Sequence, residues 1–301
     1  MKHYLKYLDK LESLENKTVI VTGANSGLGF DTTYDLVYKK AKVIMACRNL
    51  KKAEEAKNKI VSQVKEANIE IIHYDQSDFN SIDEFYSKIL DKNIKIDGLI
   101  CNAGIYFPKA NYRTKNDFEL TFGTNYLGTF YLLKRLNPLL EKSEAKVIIV
   151  TSLTGFFAKK IKLKDNEKLS RNKIYGYSKY CLSRLGYELS SKNSKVTYFL
   201  THPGICKTNI ISSDQTGLPN WFSKLGHIFL YLFVHPSSKA CLTNLLALDT
   251  KDNEKVYIKP RGIFSISGYP TRRKIPRYAK KDIIEETYCY LEDKGFKLRE
   301  N

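Results

Sequence analysis

One short stretch near the amino terminus restricts this chain more than any other. Thr18-Val19-Ile20-Val21 is an apolar, β-branched run, and Thr22-Gly23-Ala24-Asn25-Ser26-Gly27-Leu28-Gly29 follows it directly. Helical apolar spacing then continues to Lys39. A strand that enters a helix through three closely spaced glycines requires a tight turn that a side chain would block. Gly23 is expected to make that turn, Gly27 to let a ligand approach the backbone, and Gly29 to let the helix pack on the strand. The free N–H groups and positive dipole end of the helix then face an anion. In this context the turn predicts a dinucleotide pyrophosphate held by Gly23, Asn25, Ser26, Gly27, Leu28 and Gly29.

The rest of the chain repeats the same rhythm. Strands are expected at 42–46, 70–73, 98–101, 147–150 and 196–200, with helices at about 51–65, 79–90, 117–140 and 175–191 between them. Apolar strands buried on both faces and separated by helices predict a parallel sheet with right-handed crossovers. The expected fold class is therefore α/β, a doubly wound Rossmann-type sheet of about seven strands with helices on both faces. A further helix is expected at 238–248, an edge strand near 262–267 and a charged helix at 280–292. Neither linker nor repeat divides the chain, so residues 1–301 are read as one domain.

The second strand ends in Met45-Ala46-Cys47-Arg48-Asn49. A site selecting NAD places an acid there to accept from the ribose hydroxyl. Cys47 holds none, and Arg48, with Asn49 beside it, can meet a 2′-phosphate. NADP(H) is therefore expected in preference to NAD(H). Asp75 and Gln76, just past the third strand, are placed to border the adenine.

Composition bounds the remainder. The formal charge is +18, from 50 Lys and Arg against 32 acids. The basic residues spread along the whole length without a long tract. Together with the abundance of Lys, Asn, Ile and Tyr, this reads as compositional drift, and no nucleic-acid partner is expected. Six widely spaced cysteines with no CxxC pair, and five scattered histidines, predict reduced thiols and no metal site. Residues 1–16 lack the apolar core of a signal peptide. The longest apolar run, 228–234, is too short to cross a bilayer. A cytoplasmic location without membrane contact is expected.

These features resemble the classical short-chain dehydrogenase/reductase family, and most of all its retinol dehydrogenase and protochlorophyllide reductase-like branch. Thr22–Gly29 matches the family's TGxxxGxG turn. Asn102-Ala103-Gly104 is similar to its NAG motif beside the cofactor. Thr124-Asn125-Tyr126-Leu127-Gly128 holds the counterpart of its catalytic Asn, and Ser152 ends the fifth strand as its catalytic Ser does. Tyr175-Gly176-Tyr177-Ser178-Lys179 resembles YxxxK, and Pro203-Gly204 with Thr208 resembles the PGxxxT segment at the nicotinamide carboxamide. The ACRN phrase, the long 152–175 insert and the HPG segment carry the branch assignment. Two positions depart from the pattern: Cys101, where Asn is usual, and Thr151, where Ser is frequent.

The resemblance implies NADP(H)-dependent interconversion of a carbonyl and an alcohol on an apolar small molecule. Tyr175 would be the acid/base. Lys179, one helical turn on, would lower its pKa and bind the nicotinamide ribose. Ser152 would position the substrate oxygen, and Asn125 would serve a proton relay. Reduction of a carbon–carbon double bond and a non-catalytic NADP(H)-binding regulator are the alternatives. The segment 211–236, with Trp221, Phe222, Phe229 and Tyr231, is expected either to close over the substrate or to pack as a helix on the core. Family members are often homodimers or homotetramers and some are monomers, so the resemblance leaves all three open.

Overall fold

The computed structural model describes residues 2–106, 112–158, 162–192, 194–207, 235–251, 256–262 and 265–298. Helix α1 (Lys2–Leu8) precedes the first unit, β1 (Thr18–Thr22) and α2 (Gly27–Tyr38). Next come β2 (Lys42–Cys47), α3 (Leu50–Val61), β3 (Ile69–His73), α4 (Phe79–Asp91) and β4 (Gly98–Cys101). The second half opens with α5 (Leu120–Phe122), a π-helical turn at Gly123–Leu127, and α6 (Gly128–Ser143). It continues through β5 (Lys146–Val150), α7 (Arg171–Ser191) and β6 (Thr197–Thr201).

Short strands β7 (Cys206–Lys207) and β8 (His235–Pro236) pair with each other apart from the main sheet. The chain then forms α8 (Ser237–Ala240), α9 (Leu242–Asp249), β9 (Val256–Pro260), β10 (Pro270–Lys274) and α10 (Ile284–Asp293).

The main sheet has eight strands in the order β10-β9-β6-β5-β4-β1-β2-β3. All neighbours are parallel except β10 on β9. Alternation along each strand sends side chains to opposite layers. On β1, Ile20 joins the layer of α4, α6, α7 and α10, and Val19 and Val21 join the layer of α2, α3 and α9. On β5, Val147 and Ile149 face the first layer, and Ile148 and Val150 the second. The strands read as unbroken apolar runs because both faces are covered. Strand order reverses between β1 and β4, which opens a crevice at their carboxyl ends.

Three expectations change. The sheet gains a strand: the expected edge strand at 262–267 is instead part of the connection between β9 and β10. Gly262 N–H donates to the Ser267 carbonyl and Arg261 N–H to the Tyr269 carbonyl, closing that connection. Strand β10, Pro-Thr-Arg-Arg-Lys, escapes an apolar-pattern reading because an edge strand exposes its charges. The helix expected from residue 117 begins at Leu120, because Asp117 takes a left-handed backbone with φ of +60°. Helix α7 begins four residues before Tyr175, which puts that side chain in the second turn. Of the segment 211–236, only residues 235 and 236 fall within the described residues, and Thr208 lies outside them.

Candidate functional site

The glycine turn is held by packing as well as by φ. Gly23 and Gly27 have φ of +65° and +51°. A Cβ on Gly29 would lie 2.2 Å from the Gly23 carbonyl oxygen and 2.5 Å from Asn102 Nδ2. No side chain fits between helix and turn there. Helix α2 starts with Ser26 at its N-cap, and no side chain caps it. Its first-turn N–H groups thus point toward the crevice without a protein acceptor from the cap.

Asn102 braces the turn from β4. Its Nδ2 donates to the Thr22 carbonyl at 2.9 Å, and the backbone N–H groups of Asn102 and Ala103 donate to Thr22 Oγ1 at 3.0 and 2.9 Å. The Thr22 hydroxyl thus ties the ends of β1 and β4 together beside the cleft.

Together these segments border a cleft of about 390 Å³. It is lined by the turn residues Gly23, Asn25, Ser26, Gly27, Leu28 and Gly29, by Arg48 and Asn49, by Asp75 and Gln76, and by Asn102, Ala103 and Gly104. The sequence reading anticipates all of these. Lys52, Tyr74, Ile105 and Thr124 also line it, and that reading missed them. Lys52 had a visible signal, since it stands four residues after Arg48 on the helix that Asn49 caps. The Asn49 side chain accepts from the Lys52 N–H at 2.9 Å. Both cations are exposed at the cleft. Cys47, where an NAD site would carry an acid, is buried, which pushes its thiol up to about 11 and keeps it neutral.

The side chains of Asp75 and Gln76 serve the scaffold. Asp75 Oδ1 accepts from Ser77 N–H and Oγ at 2.9 and 2.6 Å. Gln76 Nε2 donates to the carbonyls of Ala103 and Thr124 at 3.0 and 2.7 Å, and its Oε1 accepts from Tyr74 at 3.2 Å. Gln76 therefore staples β4 to the π-turn, and its side-chain amide is already occupied.

That turn carries Asn125, which is fully buried. π-turns inside helices recur at functional sites. Asn125 Oδ1 accepts from Ile105 N–H at 2.8 Å, and Nδ2 donates to the Ile105 carbonyl at 3.0 Å and to Ser178 Oγ at 3.2 Å. One side chain thus pins the segment after β4 to helix α7.

Helix α7 presents Tyr175 and Lys179 one turn apart. Tyr175 is half-buried, and its ring meets that of Tyr106 edge-on, centroids 4.6 Å apart. No motif marked Tyr106. Lys179 is 5% exposed, and its ammonium donates to the Val150 carbonyl at 3.0 Å. Burial pushes it down to about 8. A Cβ on Gly104 would lie 3.1 Å from Asn125 Oδ1 and 3.7 Å from Lys179 Nζ. Gly104 is a wall of the cleft, and the space beside it opens onto Asn125 and the ammonium.

Ser152 follows β5, and its hydroxyl accepts from Thr154 Oγ1 at 3.0 Å. The 3₁₀ turn Leu153–Ala158 lies flat on α7: a Cβ on Gly176 would be 3.0 Å from the Thr154 carbonyl oxygen, and one on Gly155 3.0 Å from Tyr180 N. These two glycines bring the Ser152 segment against the Tyr175 turn. After β6, Gly204 has φ of +83° and donates its N–H to His202 Nδ1 at 3.1 Å, which fixes the bend at Pro203.

Known proteins resemble this arrangement. Residues 17–217 match the family model for short chain dehydrogenase. Retinol dehydrogenase 13 of Homo sapiens is 33% identical over 246 residues, covering 78% of this chain and 73% of the relative. Retinol dehydrogenase 14 of Mus musculus is 33% identical over 212 residues, covering 65% of this chain and 63% of the relative. An uncharacterized protein from Mycobacterium Paratuberculosis superposes with a TM-score of 0.71 at 25% identity, covering 95% of this chain and 96% of that one. An alcohol dehydrogenase from Thermococcus sibiricus, complexed with 5-hydroxy-NADP, shares the fold with a TM-score of 0.60 at 18% identity, covering 79% of this chain and 92% of that one. The chain belongs to the short-chain dehydrogenase/reductase family of oxidoreductases, in its retinol dehydrogenase branch.

Proposed function

We propose that this protein is an NADP(H)-dependent enzyme that interconverts a carbonyl and an alcohol on an apolar small molecule. The observation that carries this reading is the continuity of cleft and ammonium at Gly104. The dinucleotide cleft ends where Lys179 and Asn125 begin, with Tyr175 one turn away. The cleft fits the cofactor by its glycine turn, by the uncapped start of α2 and by the paired cations Arg48 and Lys52. Those cations favour a 2′-phosphate, and neutral Cys47 offers nothing to a ribose hydroxyl. A bound nicotinamide supplies or accepts the hydride.

The chain's own side chains handle binding and the proton. Ser152 Oγ donates to the substrate oxygen and holds it beside Tyr175. The Tyr175 hydroxyl gives its proton to that oxygen in reduction and takes it back in oxidation. A free phenol has a pKa of about 10, so phenolate must be favoured for the return step. The Lys179 ammonium provides that bias through its positive charge. It also has donors left for ribose hydroxyls beyond the one given to Val150. Asn125, tied to Ile105 and Ser178, stands beside the ammonium on the route by which a proton reaches solvent. Pro203 and Gly204 shape the nicotinamide end. Relatives named retinol dehydrogenases support an apolar alcohol or aldehyde as substrate. Residues 1–301 act as one catalytic unit in this reading, with a cytoplasmic location suited to the free cysteines.

The test is a panel of apolar aldehydes, ketones and alcohols offered with NADPH, NADP⁺, NADH and NAD⁺, read at the nicotinamide absorbance. Turnover of a carbonyl/alcohol pair that prefers the phosphorylated cofactor is expected. NADPH binding without turnover of any member would favour the regulator, and turnover confined to activated alkenes would favour double-bond reduction.

A further inference from the structure

Neither the cleft nor the proton chemistry uses most of the +18 charge. In the sequence the basic residues look dispersed, but the fold gathers several of them. Helix α1 and the β9–β10 connection border a groove of about 670 Å³ lined by Lys6, Lys10, Arg261 and Arg273. All four side chains are exposed, and among the described residues none of them forms an ion pair. The groove shares no lining residue with the dinucleotide cleft.

Its walls are ordered rather than loose. Tyr7 of α1 stacks on Tyr269, with ring centroids 5.2 Å apart and planes within 20°. Lys239 of α8 places its ammonium 4.5 Å from the centre of the Tyr269 ring. This cation–π contact fixes a further positive charge at the rim. On β10, Thr271 and Arg273 line the groove two residues apart, as a strand's alternation requires. The antiparallel pairing of β10 with β9 holds both of them in register. Charge gathered in a concavity focuses field and attracts anions more strongly than the same charge dispersed. Arg and Lys together suit phosphoryl oxygens, with Arg supplying paired donors.

The surroundings limit the size of the anion. Asp9, Glu12 and Asp249 stand on the α1 side. Asp9 accepts from the Tyr38 hydroxyl, Glu12 pairs with Lys251 at 2.7 Å, and Asp249 accepts from Glu12 N–H. These carboxylates interrupt the run of basic residues beside the groove. An extended nucleic-acid backbone would run onto them, whereas a compact ligand would not.

We propose that the groove between α1 and the β9–β10 connection binds a compact ligand bearing two or more phosphoryl groups. The site is independent of the dinucleotide cleft. Inorganic tripolyphosphate is the probe, titrated calorimetrically into the full chain. A variant carrying Arg48→Glu and Lys52→Glu is titrated alongside, so that binding in the cleft is discounted whether or not the cofactor assignment holds. One saturable, salt-sensitive site should persist in that variant. Arg261→Glu with Arg273→Glu should weaken it by about 10-fold or more, the loss expected for two charge-assisted contacts. Lys6→Glu with Lys10→Glu, on the opposite wall, should do the same, and unchanged thermal unfolding would certify each fold.

Vesicles with and without a bisphosphorylated inositol lipid distinguish the sources. Binding that needs this headgroup and disappears in the same variants identifies a membrane lipid. Tripolyphosphate binding without vesicle binding identifies a soluble organophosphate. The proposal fails if no saturable site exists, if binding survives both wall variants, or if duplex DNA binds more tightly than tripolyphosphate.

Discussion

Replacing Lys179 by Met should make the protein more stable while removing its activity. The ammonium is 5% exposed, and burial has moved it from 10.5 to about 8. That displacement corresponds to about 3 kcal/mol of preference for the uncharged form. Below the folded value the native protein holds a buried charge that the unfolded chain leaves in water. The cost is therefore fully present at neutral pH. Between the two values the unfolded chain keeps its proton while the native chain loses it, so stability rises with pH and the cost vanishes near 10.5. Methionine fills much of the same volume without charge, but it leaves the Val150 carbonyl without its donor, a loss of about 1 kcal/mol. The net gain at neutral pH is about 2 kcal/mol, or about 4 °C in Tm for a chain of this size. Urea unfolding of both proteins without cofactor, at neutral pH and near pH 10, reads it directly. The variant should lead at neutral pH, and the gap should close on raising the pH. A variant less stable than the parent at neutral pH, or a gap that ignores pH, would refute the assignment of a strained buried ammonium.

Three further outcomes follow from the site. Arg48→Asp, and more strongly Arg48→Asp with Lys52→Glu, should shift cofactor preference from NADP(H) toward NAD(H), measured as the ratio of kcat/KM values; an unchanged ratio would remove both residues from 2′-phosphate recognition. Gly29→Ala puts a Cβ 2.2 Å from the Gly23 carbonyl oxygen, so the turn must open at a cost of about 1–3 kcal/mol. Calorimetry should show weakened NADPH binding, and wild-type affinity would mean that the turn does not carry the pyrophosphate. For carbonyl reduction, kcat/KM of the free enzyme should fall as pH rises through about 8, because that titration discharges Lys179. A profile flat from pH 7 to about 9.5 would separate the ammonium from catalysis.

The glycine turn and the catalytic helix were legible because their signals are local. The glycine turn, the i to i+4 spacing of Tyr175 and Lys179, and the unbroken apolar strands each depend on neighbours a few residues away. Lys52 was equally local and is recovered once Asn49 is seen as the N-cap of α3. What escaped depends on distant residues. Strand β10 is polar in sequence because it lies at an edge, and only its partner β9 makes it a strand. Tyr106 gains its place from a ring 69 positions later, across the crevice. Asp75 and Gln76 sit at the cleft as expected, yet Asp75 Oδ1 is engaged with Ser77 and the Gln76 amide with Ala103 and Thr124, which no local pattern announces. The groove cations come from α1 and the turn just after it and from residues more than 250 positions away, so charge that reads as dispersed is concentrated by the fold.

The central claim is that Tyr175 moves the proton in a hydride-transfer enzyme whose cleft ends at Lys179. Tyr175→Phe tests it most directly, because it removes one hydroxyl and keeps the ring that packs on Tyr106. NADPH affinity and carbonyl reduction should be measured on the same preparation. The account predicts NADPH binding within a few-fold of wild type and turnover reduced by about 100-fold or more, the loss of a positioned acid. Turnover that survives with binding intact would contradict it.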